Sequence, residues 1–272
     1  MGRFALQRAL QGLIVIFGVT IVVFVVTRLI GDPVSLMLPL EATAEERAAF
    51  SAAMGLDQPI IVQFWEFLQG AVRLDFGESL WQGRPAFEII AEVLPRTVIL
   101  VVAGLGLAVV LAIPVGIFAA LRPGSWIDRT LVGASLLGLS IPQFWLGLML
   151  ILFFGVYLKV LPTSGSGSFQ HLILPAVTLA LPAFGRLTMM VRSSMIDEMQ
   201  SDYVETSRAK GMPEWRTVFV HGFRNASNPV VTLTGWEFIR AIAGYSVVVE
   251  TVFAWPGIGF MAIQAIQQQD LI

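Results

Sequence analysis

Cysteine is absent from all 272 residues, which excludes disulfides, thiolate metal sites and cysteine nucleophiles. Lysine is nearly absent: fifteen of the seventeen basic residues are arginine, and the two lysines are Lys159 and Lys210. Charge as a whole is scarce, at 13% of residues, about half the share of a soluble domain. A net charge of -2 leaves no basic surface for nucleic acid. The two histidines, His171 and His221, lie near opposite ends of one apolar segment, so a histidine-based metal site is not expected. No G-x-x-x-x-G-K-[ST] phosphate loop occurs, so the chain does not itself bind and hydrolyse ATP.

What fills the sequence instead is apolar, 56% of residues with a mean hydropathy of +0.77. These values specify an all-α polytopic membrane protein. A helix over Leu10 to Ile30 is long enough for a hydrocarbon core of roughly 30 Å. It is too long for a signal peptide's apolar region, and no small-residue cleavage site follows. Further spans are expected at 97–121, 131–158, 172–191 and 229–249, that over 131–158 tilted or kinked at Pro142. Within them Gly104, Gly106, Gly116, Gly133, Gly138 and Gly147 permit close helix approach, and Pro114 and Pro142 permit kinks.

Three regions follow: 1–31, the N-terminus and first span; 32–94, an extramembrane helical subdomain; and 95–272, the membrane core. The subdomain holds ten acidic residues against three arginines. Thr43-Ala44-Glu45-Glu46 reads as a capping box ahead of an Ala-rich helix stopping at Gly55. Pro59 to Gly70 reads as an amphipathic helix that presents Phe64, Trp65 and Leu68 to the membrane surface, and Asp75 to Ser79 as a turn. With a cytoplasmic N-terminus, the inner segments hold nine basic residues and the outer ones five, which orients the subdomain outside.

The longest polar interval between spans, 192–228, carries the strongest local signal. Asp202-Tyr203-Val204-Glu205-Thr206-Ser207-Arg208-Ala209-Lys210-Gly211 reads as a short helix with Gly211 at a left-handed cap. Pro213 then suits the first turn of a second short helix. Two helices joined by a Gly-to-Pro elbow and held between spans suit docking. Glu205, the small pair Thr206 and Ser207, and Gly211 resemble the EAA loop of ABC-transporter permeases, although that family has two alanines where Thr206 and Ser207 stand. Asp-Tyr-Val before Glu205 and Arg-Ala-Lys-Gly after it resemble the dipeptide/oligopeptide/nickel class, with a dipeptide permease B-like pattern. Ile30-Gly31-Asp32-Pro33, Gly55 to Pro59, Asp75 to Ser79, Leu161 to Gly165, Leu174 to Leu179 and Val252 to Gly259 resemble it too.

That resemblance implies a type I ABC importer transmembrane domain, five spans of which are present, with a sixth expected beyond Ile272. It implies a non-catalytic subunit of the bacterial inner membrane that moves short peptides or a related small solute inward. Its implied partners are a homologous second permease, two cytoplasmic ATPase subunits that bind ATP and Mg, an external solute-binding protein and membrane lipid. The segment 202–211 would insert into the ATPase.

Three charged residues are candidates for the pathway or its gate. Glu237 and Arg240, three apart near the middle of the fifth span, share a helical face and can reach each other. They form either a buried pair at the second permease or a site offering a carboxylate and a guanidinium to a zwitterionic peptide. Glu250, in the family-like Glu-Thr-Val-Phe segment, either closes an external gate or faces water. Arg28 can snorkel to headgroups, and Arg186 lies one turn from the inner end of its span. An ion-coupled secondary transporter or channel without an ATPase is the alternative class. A serine hydrolase using His171 as base is a third, opposed by its setting in a serine-rich turn.

Overall fold

Helices form wherever the apolar runs are long, and proline and glycine decide where they break. In the computed structural model, which describes residues 2–30, 43–53, 55, 57–79, 81–268, 270 and 272, the secondary structure is helical apart from one isolated bridge, Glu78 to Pro85. The Gly31-Asp32-Pro33 motif, Leu56 and the side chain of Arg28 lie outside the described residues. The chain divides into two compact units, one of residues 1–91 with 264–272 and one of 92–263.

In the first unit, α1 (Gly2–Ile30) is followed by α2 (Ala44–Ala53) and α3 (Ile60–Val72). The capping box at the start of α2 is reciprocal: Thr43 N donates to Glu46 Oε2 at 2.8 Å and Glu46 N to Thr43 Oγ1 at 3.3 Å. Those bonds to Thr43, the backbone one first, hold the Glu46 carboxyl below its ordinary range. Phe64 of α3 sits between Phe17 and Phe24 of α1, with ring centroids 6.1 and 5.2 Å away, and Phe67 lies 5.7 Å from Phe24. The packed edge of α3 therefore follows the i, i+3 pair Phe64 and Phe67, whereas Trp65 is 59% exposed. Asp75 to Ser79 turns as anticipated, with Gly77 at φ 87° and its N–H bonded to Asp75 Oδ1.

Among the described residues, three helices are long and apolar enough to cross a membrane: 2–26 within α1, α4 (Ala86–Leu121) and α7 (Phe169–Met199). Up to five spans result if each of two bent pairs counts as one. The first pair joins α5 (Trp126–Ser140) to α6 (Gln143–Leu150), continued by a π-helical stretch over 151–157, with a bend of 99°. Pro142 marks the break, but 99° is a corner, far beyond the kink that a single proline inside a helix produces. The second pair joins a continuous helix, Glu214–Phe253, to α12 (Ile258–Gln267) at 73°. That helix comprises α9 (Glu214–Arg216), a π turn at 217–222, α10 (Phe223–Arg240), a π turn at 241–245 and α11 (Ser246–Phe253).

The second unit is built around α7, 61% of whose apolar window is buried against 6% for α1. Leu105, Ala108 and Ile117 of α4 meet Leu187, Val191 and Met195 of α7 and Val230 of α10 in one core. Leu100, Leu174, Val249, Phe253 and Trp255 make the second. Small residues set the helix distances. A Cβ at Gly116 would lie 2.6 Å from Val191 Cβ, and one at Gly185 only 2.6 Å from the Ser135 carbonyl oxygen. Gly106 and Gly133, by contrast, face open space.

Candidate functional site

Helices extend into both ends of the polar interval 192–228. Helix α7 runs on to Met199 and the next membrane helix starts at Glu214, so 200–213 is all that lies between them. The second short helix expected after Pro213 is the start of the continuous helix, because nothing after Pro213 interrupts helical bonding until Ala254, at φ 47°. Between them sits α8 (Asp202–Ala209), closed by Gly211 at φ 73°, a left-handed turn that L side chains rarely adopt.

One face of α8 is anchored and the other is bare. Val204 is fully buried, and Ser207 is buried with its hydroxyl 3.0 Å from Thr217 Oγ1. Asp202, Tyr203, Glu205, Thr206, Arg208, Ala209 and Lys210 are exposed. Ser207, singled out as a small residue at the partner contact, therefore faces inward and fixes α8 to its own chain. Arg208 spans the elbow to Glu214, with Nη2 to Oε1 at 2.6 Å, and Tyr203 donates to Glu198. The Arg208 guanidinium holds the Glu214 carboxyl below its ordinary range, and Glu214 in turn raises Arg208. Trp215, 64% exposed beside the elbow, adds an apolar edge that the helical pattern did not single out.

In the span itself the main partner of Glu237 is a residue that the sequence did not pair with it. Arg186 of α7 grips the Glu237 carboxylate through two bonds, Nε to Oε1 at 2.6 Å and Nη2 to Oε2 at 2.7 Å. Arg240 reaches the same Oε1 only at 3.4 Å. Glu237 is 1% exposed, enclosed by helices of its own chain. Arg186 stacks over Tyr245, 5.6 Å from its ring centroid, while half of the Arg240 side chain is exposed. A charge at mid-bilayer costs about 2.5–3.5 kcal/mol on insertion scales, so a bidentate partner is what makes Glu237 tolerable there.

Glu250 does not face water. It is fully buried: Oε1 accepts from Thr97 Oγ1 at 2.6 Å, and Oε2 from the backbone N–H groups of Gly259 and Phe260 at 2.7 and 3.1 Å. Thr97 Oγ1 accepts from Ile258 N at 2.8 Å. The first N–H groups of α12 are thus capped by side chains of α4 and α11, with a carboxylate placed where the helix dipole favours it. Gly257 is required beneath it, since a Cβ there would overlap the Glu250 carboxylate.

The wider comparison decides what this architecture is. Residues 112–272 match the family described as "Binding-protein-dependent transport system inner membrane component", and residues 1–101 its N-terminal companion. The chain belongs to that family. It is 38% identical, over 99% of its length and 89% of the relative's, to the oligopeptide transport system permease protein AppB of Bacillus subtilis (strain 168). It is 37% identical, over 99% and 88%, to the glutathione transport system permease protein GsiC of Escherichia coli (strain K12). The MetNI methionine ABC transporter in an inward-facing conformation shares its fold, with a TM-score of 0.55 at 22% identity over 66% of this chain and 81% of that one.

This permease is therefore the non-catalytic membrane component of an ATP-driven, binding-protein-dependent importer, integral to the inner membrane. The serine-hydrolase reading loses its ground here. Ser168 Oγ does lie 2.9 Å from His171 Nδ1, but the contact is exposed, local to one helix start, and the family does not hydrolyse. The permease also holds a second bidentate pair that sequence reasoning missed. Arg192 of α7 binds Asp128 of α5 at 2.6 and 2.7 Å, and Asp128 also accepts from Gly124 N at 2.8 Å. Only the arginines along α7, spaced six apart at 186 and 192, could have hinted that this helix gathers carboxylates.

Proposed function

We propose that this permease carries short peptides or a related small solute into the cytoplasm, with α8 as the element that receives motion from an ATPase. The observation that supports this most directly is the two-sidedness of α8: Val204 and Ser207 clamp it to the chain, while Asp202, Glu205, Thr206 and Ala209 form a bare edge one helix long. A helix held on one side and open on the other passes on displacement without needing a large interface. In this reading the N-terminus and α8 are cytoplasmic, and residues 32–94 form an outer rim for the solute-binding protein. A homologous second permease completes the pathway. Two ATPase subunits bind ATP and Mg.

Peptide or glutathione-like cargo is proposed because the similar permeases above carry those substrates by name. The test is uptake by the reconstituted complex with Glu205→Lys or Gly211→Val. Both variants should reach the membrane and assemble with the second permease, yet lose ATP-dependent uptake. Normal uptake by both would refute the role of α8, and loss of the protein from the membrane would make α8 structural.

A further inference from the structure

The pairing of Glu237 with Arg186 leaves one charge of the cluster uncommitted. Two arginines surround a single carboxylate, so the group carries a net positive charge in mid-span. Glu237 is 1% exposed and both its oxygens are engaged by Arg186, so burial closes it off from a cargo ammonium. Arg240 is the opposite case. Its 3.4 Å contact engages one of five guanidinium N–H donors, and half of its side chain is exposed.

The surface around Arg240 is mixed, with Ile239, 56% exposed, beside it and a polar-bearing ridge along the helix. Asn228, Thr232, Trp236, Arg240 and Gly244, four residues apart, form one exposed ridge along the helix. Gly244 within it and Gly235 beside it have nothing within 4 Å of where a Cβ would stand. The π turn at 241–245 begins directly after Arg240, and such turns recur at functional sites.

We propose that Arg240 is the carboxylate-reading residue of the translocation pathway, taking the free carboxylate of a passing solute, with Arg186 and Glu237 as the positioning pair behind it. This rests on the importer reading above and narrows its substrate class to solutes with an unblocked carboxylate. Arg186 keeps Glu237 from neutralising Arg240 through a close contact, so the guanidinium stays available, and the weak pull at 3.4 Å fixes where it points. Glu237 also tempers the positive field, which suits brief occupancy.

The absence of cysteine makes the test direct, because Arg240→Cys is the only thiol in this chain. The assembled complex in proteoliposomes is supplied with Ala-Ala-Ala or its C-terminal amide, and the ratio of uptake rates is compared with wild type. The same binding protein serves both complexes, so its own preference cancels. We expect the carboxylate-to-amide ratio to fall about tenfold in Arg240→Cys, the worth of a charge-assisted hydrogen bond. A water-soluble ethylammonium thiosulfonate should label Cys at this position and restore the ratio, and the ethylsulfonate reagent should depress it further.

Four results would overturn the proposal. Failure of the assembled complex to react would place the ridge against the second subunit or lipid. Dissociation of the variant complex would make Arg240 an interface contact. Labelling without a change in the ratio would make the position accessible but silent. Absence of ATP-dependent uptake of both peptides by the wild-type complex would instead bring down the importer reading, and this proposal with it.

Discussion

Removing Arg186 should destabilise the protein far more than removing both members of its pair. In Arg186→Met the Glu237 carboxylate, 1% exposed, loses two bonds of 2.6 and 2.7 Å and keeps only Arg240 at 3.4 Å. Breaking a buried pair from one side costs about 3–5 kcal/mol. Arg240 can close on the orphaned carboxylate, which puts the expected cost at the lower end, about 3 kcal/mol. Glu237→Leu strands a different group. Arg186 has 24% of its side chain exposed and the Tyr245 ring beneath it, so the cost should be smaller, about 1–2 kcal/mol. Arg186→Met/Glu237→Leu replaces the pair with apolar side chains of similar volume and should return to within about 1 kcal/mol of wild type. At about 2–4 °C per kcal/mol, Arg186→Met should melt roughly 6–12 °C early, with the double variant within about 4 °C of wild type. The assay is thermal unfolding of the purified complex in detergent at a fixed scan rate, followed by tryptophan fluorescence. A double variant as unstable as Arg186→Met, or an Arg186→Met melting with the wild type, would refute the reasoning.

Three other expectations test the remaining contacts. Gly185→Val drives a Cβ to 2.6 Å from the Ser135 carbonyl oxygen and 2.8 Å from Leu139 Cγ, so folded yield from membranes should collapse, whereas Gly106→Ala, facing open space, should be neutral. Glu250→Ala strips the N-terminal cap of α12 and should expose residues 258–263 to limited proteolysis, while Glu250→Gln, which keeps an acceptor for the backbone N–H groups, should resist. Because the Glu214 carboxyl is held low by Arg208, their bond contributes its full stabilisation above the ordinary carboxylate range and loses it as pH falls through the lowered value. Hydrogen exchange over 202–212, corrected for intrinsic rates, should therefore stay flat from neutral pH to about pH 5 and quicken only in stronger acid. Glu214→Gln should be fast throughout, and quickening near pH 6 in the wild type would contradict the pairing.

The parts of the fold that local pattern controls were legible in the sequence. Apolar length announced the membrane helices, Thr43 with Glu46 announced a cap three residues wide, and Gly211 announced a left-handed turn. What failed were quantities set by partners far along the chain. Pro142 revealed where a helix would break but not that it would turn by 99°, because the angle is fixed by packing against α7 and α11. Glu237 and Arg240 declared their spacing, yet Arg186, 51 residues away, takes the carboxylate. The cap that Glu250 makes was not legible because its partner Thr97 stands 153 residues earlier. Charges in an apolar run say that a partner must exist. They do not say which.

The unbroken helix from Glu214 to Phe253 has a mechanical consequence. Its forty residues extend about 60 Å, twice the hydrocarbon thickness, so one end stands beside α8 and the other carries Glu250. The Arg186–Glu237 clamp grips it between arms of roughly 35 and 25 Å, as the bearing of a seesaw grips its plank. A tilt of about 5° around that bearing would carry the elbow end some 3 Å one way and the Glu250 end some 2 Å the other. A push at one end of the helix would then become an opposite displacement at the other, with no need for the helix to slide.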